Sequence, residues 1–175
     1  MDDSLTIREA RDADADALFE LHLEALRANP TAFAADPQET AADRSGWIGR
    51  LKRNLAMDMG AICLAETSEG IVGMSGIFRR TLAKMQHTAT IWGTYVKPGW
   101  RGQGLGERLL QANLAWARRH RVHMVRLAVV ATNVPAIRCY LRQGFAVYGV
   151  EPDALLHEGR YYDELWMTKR IGGAE

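Results

Sequence analysis

The chain has little cysteine and almost no net charge, and each shortage argues against a class of protein. Only two cysteines occur among 175 residues, Cys63 and Cys139, and they do not form a C-x-x-C pair. This argues against a disulfide-stabilised fold and against a thiolate zinc site. The formal net charge is +1, which removes any strong electrostatic case for binding nucleic acid or an anionic membrane.

Long apolar segments are also missing. The first ten residues, M-D-D-S-L-T-I-R-E-A, are acidic and lack the apolar core of a signal peptide. No apolar run approaches the roughly 20 residues that span a bilayer. The hydrophobic fraction of 47% and the charged fraction of 25% are those of an ordinary globular domain. We therefore expect a single domain over residues 1–175, located in the cytoplasm, without a nucleic-acid or membrane partner.

Hydrophobic periodicity predicts a mixed α+β domain. The predicted order is β, α, α, β, β, β, α, β, α, β, β, with no internal repeat and no linker. The predicted strands cover residues 5–8, 61–66, 71–78, 91–96, 124–130, 145–148 and 160–170. The predicted helices run from the acidic residues at 12–16 to about 27, over about 43–55 and 105–120, and up to about 143. Residues 29–42 are expected to form a loop with at most one short turn. The apolar run 124–130 is expected to be covered on both faces of the sheet.

The most informative stretch runs from Thr90 to Leu110. Residues that favour β-structure lead into three glycines at alternate positions, Gly102, Gly104 and Gly106, and then into a helix. A helix N-terminus after a glycine-rich turn suits an anion, because its first N–H groups are unpaired and its dipole attracts negative charge. Glycine also lets a phosphate approach the backbone. A purely structural turn would need the same glycines, so this pattern alone is weak.

Two well-known nucleotide sites do not fit this stretch. The P-loop pattern G-x-x-x-x-G-K-[ST] is absent, since no Gly-Lys pair occurs in the chain. The dinucleotide pattern G-x-G-x-x-G fails because the third glycine comes one residue early. Residues 121–125, about 20 positions further on, also lack an acid for a ribose hydroxyl. A dinucleotide-binding protein is therefore disfavoured.

The flanking residues make the pattern more specific. The sequence V-x-P-x-x-R-G-Q-G-L-G over residues 96–106 resembles the acyl-CoA-binding signature Q/R-x-x-G-x-G/A of the GNAT superfamily of N-acetyltransferases. Arg101 and two of the glycines occupy its defining positions. Further along, N-x-P-A-x-x-x-Y-x-x-x-G-F over residues 133–145 resembles the second signature of that superfamily. The match covers about 90–145 and the strand 163–167, while the element order fits along the whole chain.

The resemblance implies a GNAT-like mixed sheet flanked by helices, with a splayed central strand pair, and acetyl-CoA as co-substrate. Pantetheine would insert between the splayed strands, bonding to the backbone of residues 95–97, and the Val96 N–H would polarise the thioester carbonyl. The pyrophosphate would lie on the amides of 101–106. The side chain of Arg101 would add a cation near the phosphates or remain solvated, and we favour a backbone role. The expected acetyl-CoA-binding residues are Tyr95, Val96, Arg101, Gly102, Gln103, Gly104, Leu105, Gly106 and Asn133.

The resemblance also makes Tyr140 the candidate general acid. When an amine attacks the thioester, the departing CoA thiolate benefits from a proton, and a tyrosine can supply one. A tyrosine titrates near about 10 and a free thiol near about 8.5. The alternative is a core aromatic between Ile137 and Leu141. Asn133 has two expected roles of equal weight, a bond to pantetheine or a helix cap.

The general base and the acceptor surface are not identified by the sequence. Many relatives carry a glutamate on the strand before the glycine loop, but residues 88–96 contain no acid. Ordered water is one candidate base, and the others are Glu66, His87, Glu158, Asp163 and Glu164. Aromatic candidates for the acceptor surface, which also fit a core or a lid, are Phe33, Trp47, Trp92, Tyr161 and Tyr162. A basic loop carries Arg79, Arg80 and Lys84 and would meet an acidic substrate, the 3′-phosphate of CoA or only solvent.

We therefore expect an enzyme that transfers acetyl from acetyl-CoA to a primary amine of a small molecule or peptide. The amine would attack directly in a ternary complex. The alternative is a CoA-binding sensor or structural module without turnover, which the missing strand acid favours. No metal site is expected, because His120 and His123 lack a third ligand and are read as surface residues. The resemblance also implies a homodimer.

Overall fold

A computed structural model describes residues 5–172 of the chain. The acidic residues 1–4, used above to argue against a signal peptide, lie outside this range. Short 3₁₀ turns lie at Asp12–Asp14, Ala83–Met85 and Pro98–Trp100. The strands are β1 (Thr6–Glu9), β2 (Gly60–Thr67), β3 (Gly70–Arg79), β4 (Thr88–Val96), β5 (Met124–Val130), β6 (Ala146–His157) and β7 (Arg160–Arg170). The helices are α1 (Ala15–Ala28), α2 (Pro37–Ala42), α3 (Arg44–Ala56), α4 (Leu105–Arg119) and α5 (Val134–Arg142).

The strands form one seven-stranded mixed sheet in the order β1-β2-β3-β4-β5-β7-β6. All neighbouring strands are antiparallel except β4 and β5, which are parallel. This parallel pair is held only over Thr88–Thr90 against Met124–Arg126. Beyond these residues β4 continues along β3 and β5 continues along β7, so the two strands diverge. The predicted α+β fold with a splayed central pair is confirmed.

Helices cover the two faces of the sheet and leave the site between them. On one face, α4 and α5 pack on the sheet around Trp116, Leu127 and Met167, which are at most 1% exposed. On the other, α1 and α3 pack through Leu18 and Leu51 against the sheet. Each fully buried side chain of this size contributes about 1.5–3 kcal/mol relative to an exposed one. The strand β5 was expected to be covered on both faces, but its side chains alternate between buried and half-buried.

The entry into α1 is tied to the sheet by an ion pair. Asp14 is the N-cap residue and Asp16 lies in the first turn, but the Asp14 side chain makes no capping bond to the helix. Its carboxylate instead accepts hydrogen bonds from Arg8 on β1, at 2.7 and 2.8 Å. The Arg8 guanidinium lowers the pKa of the Asp14 carboxyl below its usual value. The helix is therefore tied to the first strand of the sheet.

One predicted loop contains a helix. Residues 29–42 were expected to form a loop with at most one short turn, but α2 occupies the last six of them. Asp36 caps it, since its Oδ1 accepts hydrogen bonds from the N–H groups of Gln38 and Glu39, at 2.7 and 2.9 Å. Pro37 stands at the first helical position, where a missing N–H costs nothing. The helix has no buried residue, which explains why apolar periodicity did not reveal it.

A β-bulge interrupts β4 beside the site. Met74 pairs with Tyr95 and Gly76 pairs with Trp92, so Ser75 faces two residues, Gly93 and Thr94. Gly93 has φ of +63°, a conformation that favours glycine. Gly76 on β3 accommodates the Trp92 ring, which a Cβ at position 76 would meet at 2.4 Å.

Candidate active site

The diverging strands open a cavity of about 590 Å³ between β4, α4 and α5. This volume is in the range of roughly 300–1,000 Å³ that is usual for small-molecule sites. The cavity runs from the open end of the strand pair to the N-terminus of α4. Its lining residues are Asn29, Ala32, Phe33, Thr94, Tyr95, Val96, Trp100, Arg101, Gly102, Gly104, Leu105, Gly106, Glu107, Asn133, Pro135, Ala136, Cys139, Tyr140 and Arg142.

Unpaired backbone amides form one end of this cavity. The N–H groups of residues 102–107 have no backbone or side-chain acceptor within residues 5–172. The first hydrogen bond of α4 to the preceding turn is donated by Arg108 to Gly104 at 3.0 Å. The positive end of the α4 dipole adds to the partial charges of these donors. Together they form an anion cradle of the kind that holds phosphates.

The three glycines of the cradle differ in whether their backbone conformation requires glycine. Gly102 and Gly104 have φ of +77° and +76°, so both positions favour glycine whatever surrounds them. Gly106 is the second residue of α4 and is not among the residues with positive φ. A Cβ there would meet only the Cys139 Sγ, at 4.0 Å. Gly106 therefore leaves free space on the cavity wall without a backbone requirement for glycine.

Two arginines stand beside the cradle. The Arg101 Nε donates to the Val96 carbonyl at 2.9 Å, and its guanidinium lies 5.7 Å from the Tyr95 ring centroid. Arg142 of α5 forms a 2.6 Å ion pair with Glu107 in the first turn of α4. The ion pair offsets the one carboxylate on the cavity wall, which would otherwise repel an anion. The cradle is thus suited to a negatively charged group.

The backbone of β4 exposes hydrogen-bonding groups to the gap at alternate residues. Lys97 donates its N–H to the Val72 carbonyl of β3 at 2.9 Å. Because backbone groups alternate sides along a strand, those of Tyr95 also face β3, while those of Val96 face the gap. Among the expected backbone contacts at 95–97, only those of Val96 face this direction. Tyr95 contributes its side chain, whose hydroxyl donates to Glu24 at 3.0 Å.

Tyr140 and Asn133 lie on the opposite wall of the gap. Tyr140 is 7% exposed and its ring packs edge-on against Phe145, with centroids 6.0 Å apart. Burial raises the pKa of the Tyr140 phenol, and a hydrogen bond with Thr94 acts in the opposite direction. The Asn133 Oδ1 caps α5 by accepting from the Ala136 N–H at 3.4 Å. Its amide NH₂ has no acceptor within residues 5–172, so capping leaves a donor for a ligand.

A match to a family model shows to which protein family this fold and cavity belong. The model of the Acetyltransferase (GNAT) family matches residues 15–145. The chain belongs to the GNAT family of acetyltransferases. The predicted resemblance is thereby confirmed, and the protein is an acyltransferase.

Similar proteins give this GNAT chain a closer context. It is 29% identical to the L-methionine sulfoximine/L-methionine sulfone acetyltransferase of Pseudomonas aeruginosa, over 96% of this chain and 95% of that protein. It is 24% identical to the L-amino acid N-acetyltransferase AaaT of Escherichia coli, over 94% of this chain and 97% of that one. The Salmonella typhimurium acetyltransferase yncA, solved with acetyl-CoA, superimposes with a TM-score of 0.86 at 23% identity. It covers 98% of this chain and 96% of its own.

The cavity of this acetyltransferase brings together nearly all the residues that the sequence analysis selected. Tyr95, Val96, Arg101, Gly102, Gly104, Leu105, Gly106, Asn133 and Tyr140 all line it. Gln103 does not line it, and its amide donates to the Gly99 carbonyl at 3.4 Å. Gln103 is thus placed in the cradle by its backbone alone.

The aromatic candidates for the acceptor surface are dispersed. Phe33 lines the cavity. Trp47 stacks on the buried His22 of α1, at 5.3 Å between centroids, and Trp92 meets the same ring edge-on at 6.3 Å. These tryptophans belong to the packing of α1 and α3 on the sheet. Tyr161 and Tyr162 lie on β7, the first exposed and the second beneath Arg160.

The candidate general bases occupy different parts of the sheet. Glu66 is held by Arg8 at 2.6 Å, and Glu158 is at the exposed β6–β7 hairpin. His87 precedes β4 at the end remote from Val96, roughly 25–30 Å away along the strand. Asp163 accepts the Asp153 N–H at 2.9 Å. Glu66 and Asp163 are thus engaged by other residues, His87 is remote from Val96, and Glu158 is on an exposed hairpin.

Glu164 differs from the other four candidates. It is half-buried on β7 and pairs with Val130 at the open end of β5. Burial, and then the neighbouring Glu151, raise the pKa of the Glu164 carboxyl. A carboxylate with a raised pKa accepts a proton more readily, which is the property a base requires.

The two histidines considered for a metal have separate partners. His120 stacks on Trp116 at 4.0 Å, and its Nε2 lies 3.1 Å from Asp58. The His123 Nε2 lies 3.1 Å from Arg170. Residues 5–172 contain no group of three or more His, Cys, Asp and Glu that could hold a metal.

None of the helices described here is long and apolar enough to cross a membrane. The three cations of the basic loop have different environments. Arg79 donates to the His120 carbonyl at 3.3 Å, whereas Arg80 and Lys84 are exposed.

A row of polar side chains behind the cavity was not predicted from the sequence. It consists of Thr94 on β4, Ser75 on β3 and Asn113 on α4. Asn113 lies on the apolar stripe of its helix, between Leu109 and Leu114, and is 0% exposed. A polar residue in a stripe of this kind was the available signal. The contacts with the two hydroxyls depend on tertiary structure, so the sequence did not contain a local sign of them.

Proposed function

We propose that this acetyltransferase moves the acetyl group of acetyl-CoA to a primary amine by direct attack in a ternary complex. The observation that carries the proposal is the continuity of the cavity, which joins the amide cradle at 102–107 to the space between the end of β4 (residues 94–96) and α5. The two ends suit the two ends of the donor. Pyrophosphate fits the cradle and the extended pantetheine fits the gap. Relatives solved with acetyl-CoA support this assignment of the co-substrate.

The cradle residues bind and orient the donor in this proposal. Each charge-assisted bond from an amide of 102–107 to a phosphate oxygen contributes about 1.5–3 kcal/mol. The Arg101 side chain fixes the loop to Val96 and adds positive charge. The free Asn133 amide donates to a pantetheine carbonyl. The gap-facing N–H of Val96 donates to the thioester oxygen, where negative charge develops.

Tyr140 supplies a proton to the leaving group. The amine nitrogen forms a bond to the thioester carbon, the C–S bond breaks, and the sulfur takes the phenolic proton. The amine gives up its own proton, and the phenolate is then protonated again from solvent. Tyr140 lines the same cavity as Val96, so the proton donor to the sulfur and the donor to the carbonyl oxygen serve one thioester in this proposal. Glu164, which pairs with Val130 at the open end of β5, is proposed to take the amine proton.

The acceptor is proposed to be a small amine of the amino-acid type, because relatives covering most of the chain acetylate L-amino acids and L-methionine sulfoximine. The sheet face opposite α5 carries a matching cation. Leu127 and Met167 point to α5, so Arg126 lies on the other face by alternation. Arg126 is half-buried beside the fork of the strands and has no hydrogen-bond or ion-pair partner within residues 5–172. It suits a carboxylate.

Release of the CoA thiol tests the function. Acetyl-CoA would be mixed with L-amino acids, L-methionine sulfoximine and amines of equal length that lack the carboxylate. We expect thiol release with a matching N-acetyl product, faster for the carboxylate-bearing amines. Arg126→Gln should remove that preference, and the exposed Arg121→Gln is the matched control. Acetyl-CoA binding without turnover on any amine would contradict the proposal and favour a sensor module.

Chain organisation is part of the proposal. We propose that residues 1–175 form one N-acetyltransferase domain. We also propose that it forms a homodimer through the edge strand β6, where Val147, Tyr148 and Val150 are 45–58% exposed. Sedimentation velocity at micromolar protein should show a dimer. A monomer at all concentrations would contradict this assembly.

A further inference from the structure

A row of three polar side chains, two of them fully buried, connects the core of α4 to the cavity. The Asn113 Nδ2 donates to the Ser75 Oγ at 2.7 Å, and that oxygen lies 2.8 Å from the Thr94 Oγ1. Asn113 and Ser75 are both 0% exposed. Thr94 lines the same cavity as Tyr140, and its hydroxyl lowers the pKa of the Tyr140 phenol. The row therefore begins inside the protein and ends at a hydroxyl that shares the cavity with the residue proposed to donate the proton.

The bulge at Gly93 puts Thr94 into this row. In an unbroken strand, side chains alternate, and Thr94 would face α1 because Ile91 faces α4. The extra residue reverses the alternation, so Thr94 turns towards α4 and meets Ser75. Tyr95 then packs with α1. The glycine at position 93, with φ of +63°, is thus what aligns the hydroxyls.

Hydrogen-bond directions along the row follow from its inner end. The Asn113 amide nitrogen can only donate, so Ser75 accepts there and its own hydrogen is free to point to Thr94. Thr94 then accepts from Ser75, and its hydrogen is free to point to the Tyr140 oxygen. Each hydroxyl therefore donates its hydrogen bond towards the cavity. Hydrogen bonds arranged in series in this way polarise and strengthen one another in a low-dielectric core.

We propose that Asn113, Ser75 and Thr94 are positioning residues that aim a hydrogen-bond donor at Tyr140 and stabilise the phenolate left after it protonates the CoA sulfur. This inference rests on the proposed function of Tyr140. Proton transfer from a tyrosine to a thiolate runs against their ordinary pKa values, about 10 and about 8.5. Burial of Tyr140 makes the mismatch larger. A donor aimed at the phenolate reduces it.

Other titratable and charged groups share the cavity with Tyr140. They are Tyr95 on β4, Arg101 in the loop, Glu107 on α4, and Cys139 and Arg142 on α5. Arg142 pairs with Glu107. The variants below leave all five unchanged. A change in the pH profile therefore reports the row and not an altered set of cavity charges.

The test combines Ser75→Ala and Thr94→Val with Tyr140→Phe in a double-mutant cycle. Each row variant should lower kcat roughly tenfold to a hundredfold, as expected for loss of a hydrogen bond to a charged group. Its alkaline limb should move to higher pH. The acid must be protonated to act, and without the row its pKa rises. In the Tyr140→Phe background the row variants should have no further effect on kcat.

Thr88→Val is the matched control. Thr88 is a buried hydroxyl on the same strand, and it donates to the Met85 carbonyl at 2.8 Å, away from the cavity. It should leave both kcat and the pH limb unchanged. Thermal unfolding checks that the variants fold.

Three outcomes separate the possible failures. A row variant that lowers kcat equally with and without Tyr140 would overturn the positioning role. An unmoved alkaline limb with wild-type kcat would overturn it as well. Full activity of Tyr140→Phe alone would instead overturn the proposed proton donor, and with it the premise of the row.

Discussion

Replacement of Tyr140 by phenylalanine is expected to lower kcat about 10²–10⁴-fold, the range typical of a general acid. The phenylalanine ring preserves the packing against Phe145, and the substitution removes only the hydroxyl. The thiolate must then leave without a proton. Affinity for acetyl-CoA should stay nearly unchanged, because the cradle and the Val96 backbone are untouched. Steady-state kinetics together with a calorimetric titration of acetyl-CoA would measure both effects.

Tyr148→Phe is the control for this experiment. Tyr148 is 55% exposed on the edge strand β6 and has no hydrogen bond within residues 5–172. It should keep the wild-type kcat. If Tyr140→Phe retained full activity across the pH range, Tyr140 would be a core aromatic, the alternative that its position between Ile137 and Leu141 first suggested.

Substitution of Gly106 by valine is expected to weaken acetyl-CoA binding at least roughly tenfold, since a branched side chain would fill the cavity wall next to the cradle. The structure makes this a sharper test than a change at Gly104. Gly104 has φ of +76°, so any side chain there strains the backbone with or without a ligand. At Gly106 the nearest atom to a Cβ is the Cys139 Sγ at 4.0 Å. The protein itself therefore has room.

Gly106→Ala provides the matched comparison. Alanine is a better helix former than glycine by about 0.5–1 kcal/mol, so this variant should unfold at the wild-type temperature or above. Its single methyl group should change acetyl-CoA affinity far less than valine does. Calorimetric titration and thermal unfolding of both variants would measure this. Wild-type affinity in a folded Gly106→Val protein would remove the phosphate cradle from the account.

The sequence predicted most of the fold because its signals are local. Strand-like runs separated by turn residues gave the strands, and apolar stripes gave α1, α3 and α4. The N-terminus of α4 was predictable because the glycines at 102 and 104 indicate a turn with positive φ. By contrast α2 has no buried face, so only its Asp36-Pro37 start could reveal it. The length of β6 also exceeded the prediction, because exposed residues without alternation continue the strand to His157.

The candidate site was predictable to the extent that it is a motif. Nearly all the selected residues line one cavity, since the two signatures flank the diverging strands. The polar row behind Tyr140 was not predictable. Ser75, Thr94 and Asn113 come from three elements and have no spacing in common. Their meeting depends on a bulge in β4 whose only sequence sign is Gly93.

A cysteine in the cavity makes the route of acetyl transfer a real question. Cys139 lies beside Gly106 and lines the same wall as Tyr140. A thiolate there could in principle take the acetyl group and pass it on. Burial raises the pKa of the Cys139 thiol, so little of it is ionised near neutral pH. Direct attack by the amine is therefore the favoured route.

The most direct test is the intact mass of all species in a single-turnover mixture of the protein, acetyl-CoA and a productive amine. Direct transfer in the ternary complex predicts that the amine gains one acetyl group while the mass of the protein never changes. It also predicts that acetyl-CoA stays intact when the amine is left out. A protein that gains an acetyl group before the amine does, or that releases CoA without any amine, would contradict the account.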